Sequence, residues 1–248
     1  MNELTSKGYW ENYYSNHYAE ASKIVSVCSY YDNYWDTLLG EGSKGKSLIE
    51  IGGYPGRYLA YLSHKYGVVP TCLDFNSDTS QIDGTFAAMG VKDYSIIQED
   101  VLSYEPQERY DYVISNGFIE HFEDYDTVLD LHMQYLKSGS KLLVMIPNMK
   151  GYVKLYKSLV DKKNLKIHNL KSMSLKTFES FAKRHNLEVL ELRYFGEFPH
   201  TVHQDLNTFQ TFLYKIHRLL FKKWLNTFVV KYPSKYFSSG IIAIYKYS

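Results

Sequence analysis

Cysteine is nearly missing from this chain of 248 residues, which holds only Cys28 and Cys72. They lie far apart and have no CxxC spacing, so neither a disulfide framework nor a zinc knuckle is indicated, and both read as buried thiols. No apolar run approaches the roughly 18 residues of a membrane span. Met1-Asn2-Glu3 opens no signal-peptide pattern, so the expectation is a cytoplasmic protein. Internal repeats and low-complexity segments are also missing. Acidic residues vanish after Asp205, although the whole chain balances 28 Lys and Arg against 27 Asp and Glu. Residues 1–148 carry 10 basic and 21 acidic side chains, and residues 149–248 carry 18 and 6. A basic second half points either to an anionic ligand or to two halves that neutralise each other across a solvated surface. The 45% hydrophobic content is ample for the core of one large α/β domain.

What is present begins at Leu48-Ile49-Glu50-Ile51-Gly52-Gly53-Tyr54-Pro55-Gly56-Arg57, an apolar run ending in an acid and a glycine-rich turn. The pattern predicts a strand, a tight turn and a helix starting near Gly56. Gly52, Gly53 and Gly56 let backbone approach a ligand, and the helix start aims unpaired N–H groups into the cleft. Glu50 can accept hydrogen bonds there. Val69 to Asp74 is a second apolar run closing on a carboxylate, about 20 residues after the turn, where an adenosine-binding α/β fold places its ribose-binding acid. Tyr94 to Val101 closes on Asp100, and Tyr110 to Gly117 opens into Phe118-Ile119-Glu120-His121-Phe122. Leu59, Leu62 and Tyr66 share one helical face that Gly67 ends. Strand, turn, helix and strand in such short compass form a βαβ unit, which requires a parallel sheet.

The order of these pieces resembles the class I S-adenosylmethionine-dependent methyltransferases. It is closest to the branch with a Glu-His pair after the fourth strand (Glu120-His121) and a Leu-Lys-x-Gly-x-x-Leu segment before the fifth (Leu136 to Leu142). The likeness covers residues 45–195 and returns in the last strand. It implies a Rossmann-like, seven-stranded, mostly parallel sheet with strand 7 antiparallel and helices on both faces. Residues 1–44 would form an N-terminal helical lid. Residues 45–248 would be the methyltransferase domain, with a helical insertion at 205–235 between strands 6 and 7. The implied cofactor is S-adenosylmethionine. Glu50, Gly52, Gly53, Tyr54 and Gly56 would hold its methionine end, with Ser115 or Asn116 at the ammonium. Asp74 and Phe75 would take the ribose side, and Asp100 and Val101 the adenine. Tyr54-Pro55 departs from the usual glycine pattern and leaves the shape of the loop open.

Methyl transfer to a hydroxyl needs a proton acceptor, for which histidine is suited. Candidates are His121, beside the expected methyl group, and His200 and His203 in the basic half, with His168 more remote. Glu120 could orient His121 or touch substrate. Alternatively, Glu120-His121 caps a helix and shapes the pocket. With Asp205, His200 and His203 look faintly like a metal cluster, but HxxH spacing has no third placed ligand, so no metal is expected. Trp10, Tyr14 and Tyr18 recur at helical spacing, as core packing or as an aromatic cover over the sulfonium, with Trp10 and Tyr14 as candidate substrate contacts. Ser115-Asn116-Gly117-Phe118 is no amino-methylating DNA motif, and the Lys-Asp-Lys-Glu set of ribose-methylating RNA enzymes is missing. Nucleic acid is therefore not the expected partner. A small-molecule or saccharide acceptor is expected, in a setting such as surface-polysaccharide biosynthesis, and the basic half suggests that it carries phosphate. Methylation of a small amine, or a silent nucleoside-binding module, are the alternatives. In the insertion, Leu206, Phe209, Leu213, Ile216 and Leu220 predict a helix packed on its own domain, with acceptor lid, homodimer contact or interfacial membrane helix as other roles.

Overall fold

Side-chain alternation sets the layers of the molecule. In β1 (Ser47–Ile51), Leu48 enters the core on one face of the sheet and Ile49 and Ile51 the core on the other, the two-residue period of a strand. β4 (Tyr110–Asn116) and β7 (Gly240–Lys246) divide in the same way. Tyr112 and Ile114 oppose Val113, and Ile242 and Ile244 oppose Ile241, Ala243 and Tyr245. Strands that are apolar on both faces have to be covered on both.

The computed structural model describes residues 3–5, 8–10 and 20–248. Its seven-stranded sheet runs β3 (Ser95–Ile97), β2 (Val69–Leu73), β1, β4, β5 (Leu136–Pro147), β7, β6 (Glu188–Phe195). Neighbours are parallel except β7, which is antiparallel to both β5 and β6. This is the expected Rossmann-like sheet. The chain steps outward from β1 to β3 and then returns to the opposite side of β1 as β4. That reversal opens a crevice at the carboxyl ends of β1 and β4, the place where open α/β sheets bind ligands.

One face carries α1 (Ala21–Cys28), α2 (Asp32–Leu38), α3 (Arg57–Tyr66) and α4 (Ser80–Ala88). The other carries α5 (Tyr125–Leu131), α6 (Gly151–Val160), the short α7 (Lys162–Lys166) and α8 (Leu175–Arg184). The insertion adds α9 (Thr208–Leu220) and α10 (Asn226–Lys231), joined by a π turn over Phe221–Leu225. Cys28 and Cys72 are free and buried. No described helix is long and apolar enough to cross a membrane. α1 and α2, within the segment read as a lid, cover the sheet. Trp35 is fully buried and donates from Nε1 to the Cys28 carbonyl at 2.9 Å, while Tyr31 and Tyr34 pack edge-on to Phe195.

Local departures have physical causes. The third strand is paired only over Ser95–Ile97, because Asp100 starts a turn by accepting the Leu102 N–H on its side chain and those of Ser103 and Tyr104 on its carbonyl. The Leu136 to Leu142 segment is already part of β5, with a register shift after Leu136 pairs Tyr110. Ser174 stands at the N-cap of α8, but its side chain makes no capping bond. A capping box does open α9, between Asn207 and Gln210. Of the apolar repeat in the insertion, Phe209 and Leu220 face outward rather than into the core.

Candidate active site

The turn after β1 is held by its own backbone. Gly52 and Gly53 donate to the Leu73 carbonyl, which locks the ends of β1 and β2 together. Gly52 sits at φ +68°, and a Cβ there would come within 2.4 Å of the Phe118 ring, so only glycine fits. Gly56, at φ +85°, starts α3. Asp74, at the end of β2, accepts from the Tyr54 N–H at 3.3 Å and the Asn76 N–H at 2.9 Å. Glu50 is 2% exposed and accepts from Asn116 Nδ2 at 2.7 Å. Its second oxygen is buried without a partner among the described residues. Burial pushes its carboxyl up to about 8, against the Asn116 hydrogen bond and Arg57, which favour the anion. Glu50, Gly52, Gly53, Tyr54, Asp74 and Asn116 line a pocket of about 710 Å³, mouth included, together with Arg57, Tyr58, Phe75, Asn76 and Gly117.

The other wall is made by Phe118, His121 and Phe122 around the 3₁₀ turn Ile119–His121 that follows β4, and Glu120 of that turn does not line the pocket. Glu120 is 1% exposed, neither carboxylate oxygen has a hydrogen-bond partner among the described residues, Oε1 lies 3.8 Å from His121 Nε2, and burial pushes the carboxyl up to about 8. His121 Nδ1 lies 2.9 Å from the Ile167 carbonyl and His168 Nδ1 lies 2.7 Å from the Asn164 carbonyl. A carbonyl only accepts, so both Nδ1 atoms carry the proton and both Nε2 atoms keep a lone pair. The two rings are 4.6 Å apart, and ligating atoms of Glu120, His121 and His168 lie within 4.8 Å of one another. Burial holds His121 down at about 3 and His168 at about 4, with His168 reinforcing the effect on His121. An N-terminal strap closes this side. The Leu4 N–H donates to the His121 carbonyl at 2.7 Å, Glu3 bridges Phe122, and Trp10 packs edge-on to His121 at 4.8 Å.

Of the residues singled out from sequence, Glu50, Gly52, Gly53, Tyr54, Asp74, Phe75, Asn116, Trp10 and His121 line the pocket. Gly56 lies behind it against Ile82 and Phe86, and Val101 and Ser115 are buried away from it. Asp100 is taken up by its turn, close enough to the rim for its charge to raise Glu3, after burial. Tyr14 lies outside the described residues. His200 and His203 do not line the pocket. His200 approaches the Phe198 carbonyl, and His203 pairs with Asp161 at 3.2 Å. The two rings, both in the loop before the insertion, thus have separate partners, one within that loop and one between α6 and α7. Sequence reasoning passed over Glu3, Arg57, Asn76 and Phe118. Arg57 and Asn76 could have been found from their places beside the turn and Asp74, but nothing marks Glu3 before the chain folds back.

Residues 26–192 match the methyltransferase-domain family, two thirds of the chain. Among solved structures, a SAM-dependent methyltransferase from Archaeoglobus fulgidus is 17% identical with a TM-score of 0.59, covering 98% of this chain and 100% of that one. One from Thiobacillus denitrificans, in complex with S-adenosyl-L-homocysteine, is 14% identical with a TM-score of 0.59 over 98% and 99%. The N-methyltransferase NodS from Bradyrhizobium japonicum is 12% identical with a TM-score of 0.53 over 99% and 94%. Curated proteins give no match to the sequence. The sheet order and the long matched segment agree, and the chain belongs to the methyltransferase-domain family of class I S-adenosylmethionine-dependent enzymes.

Proposed function

We propose that the protein transfers the methyl group of S-adenosylmethionine to a hydroxyl oxygen of a small, sugar-type acceptor. The observation that supports this reading is the buried group of proton acceptors Glu120, His121 and His168, of which His121 lines the pocket. The pocket suits the cofactor: Glu50 keeps an unpartnered oxygen at the strand end, and Gly52 and Gly53 line the wall without side chains. In this reading Asp74 accepts the ribose hydroxyls, Glu50 with Asn116 holds the methionine ammonium, and Asp100 and Val101, outside the pocket lining, support the adenine end from behind. Ser115 and Gly56 support that wall from behind. The cofactor supplies an electrophilic methyl group, and the protein's share of the acceleration is alignment and proton removal. Trp10 closes the acceptor side. Among the described lining residues Arg57 is the one Lys or Arg, so the pocket offers no cation cluster for a phosphate and favours a neutral hydroxylated acceptor.

His121 is held too low to be a strong base, whereas Glu120, once ionised above about 8, is a better one. Turnover should therefore rise with pH toward that value instead of following an ordinary histidine. Glu120→Gln should remove this limb and cost about 10² to 10⁴ in turnover, and His121→Ala should cost less, with cofactor affinity little changed by either. The assay is mass-spectrometric detection of methylated product against a panel of cell metabolites. A second reading, an amine acceptor, is favoured by the carboxyl-rich pocket and by the fold shared with NodS. In that case the methylated product is an amine and turnover survives both substitutions, because a free amine needs no base.

A further inference from the structure

The basic residues of the second half do not line the pocket, and six of the 18 Lys and Arg lie on the insertion. Along α9, the π turn and α10, Phe209, Phe212, Leu219, Leu220, Trp224 and Phe228 are 64, 59, 53, 44, 68 and 64% exposed. At about 100° per residue, Phe209, Phe212, Leu219 and Leu220 fall in one outer arc, and Lys215, Arg218 and Lys222 in the arc beside it. The inner side is spoken for: Phe221 and Val229 are buried, Leu213 packs on the core, and His217 Nε2 lies 2.9 Å from the Tyr152 hydroxyl. The apolar stripe is therefore additional to the one that seats the helix. Stripes of this size on a protein surface mark a contact site.

Charge identifies the occupant. No Asp or Glu follows Asp205, so nothing in this segment offsets Lys215, Arg218, Lys222, Lys223 and Lys231. A second copy meeting this face through a two-fold axis would set like charges against like. An anionic bilayer satisfies both arcs at once, with aromatic side chains at the acyl boundary and cations at the lipid phosphates. We propose that α9, the π turn and α10 dock the enzyme on an anionic lipid surface. None of these residues lines the methyl-transfer pocket, so the proposal stands apart from the choice of acceptor.

The test is flotation of the full chain with phosphatidylglycerol-containing vesicles and with pure phosphatidylcholine vesicles. Tryptophan emission is read in parallel, since Trp224 is 68% exposed and Trp35 fully buried. Expected are flotation with anionic vesicles only, a blue shift, and release by salt. The double variants Trp224→Ser/Phe228→Ser and Lys222→Glu/Lys223→Glu should each weaken binding roughly tenfold or more, with cofactor affinity unchanged. Absence of flotation, or binding indifferent to both variants, overturns the proposal. So does a dimer in sedimentation equilibrium that Trp224→Ser/Phe228→Ser dissolves, which would assign the face to a second copy.

Discussion

Asp74 ties the crevice together with one carboxylate, accepting from the Tyr54 N–H of the turn and the Asn76 N–H of its own strand end. Both anchors are backbone groups, so the side chain is held in place while its charge stays beside the pocket. Asp74→Ala should weaken S-adenosylmethionine binding by about 2 kcal/mol or more, because ribose hydroxyls lose a charged acceptor. Calorimetry on the variant checks this, and an unchanged dissociation constant would show that the ribose is held elsewhere. Glu50 plays the complementary part at the neighbouring strand. Its carboxyl sits near 8, and in the proposed reading the cofactor's ammonium would favour the anion.

The element that most constrains the site is the turn from β1 to α3. Gly52→Ala would put a methyl group against the Phe118 ring and force a positive φ on a residue that disfavours it. The cost should be about 1–3 kcal/mol in urea unfolding, together with weaker cofactor binding. A variant of wild-type stability would mean that Phe118 and the turn shift freely. This turn, the acids at the strand ends and the sheet order were legible in the sequence, because each leaves a local mark: apolar run, carboxylate, glycine. What could not be read was set by distant contacts. His168 meets His121 only because α7 and the loop after it fold back over the 3₁₀ turn, where the Asn169 N–H donates to the Glu120 carbonyl at 2.6 Å. The histidines of the second half looked equivalent by residue type, yet His203 is committed to Asp161. Apolar spacing in the insertion gave its helix but not its facing, since two apolar flanks share one helical period.

At the scale of the whole molecule, buried ionisable groups shape the pH range of stability. Glu50 and Glu120 are raised from 4.5 to about 8, so their contribution is full below 4.5 and is lost as pH rises through 8. His121, His132 and His168 are lowered from 6.5 to about 3, 4 and 4, so the unfolded chain takes up protons as pH falls below 6.5 and stability drops on that side as well. Thermal melting of the ligand-free protein should therefore peak at about pH 6–7 and decline toward both 4 and 9. A plateau extending to the alkaline side would show that the two carboxyls ionise in the fold without penalty. The central claim, that Glu50 and Asp74 at two strand ends and the glycine turn form a working cofactor site, is tested most directly by calorimetric titration of the full chain with S-adenosylmethionine and S-adenosyl-L-homocysteine. Saturable binding of both at one site per chain is the predicted result, and absence of binding at millimolar ligand would contradict it.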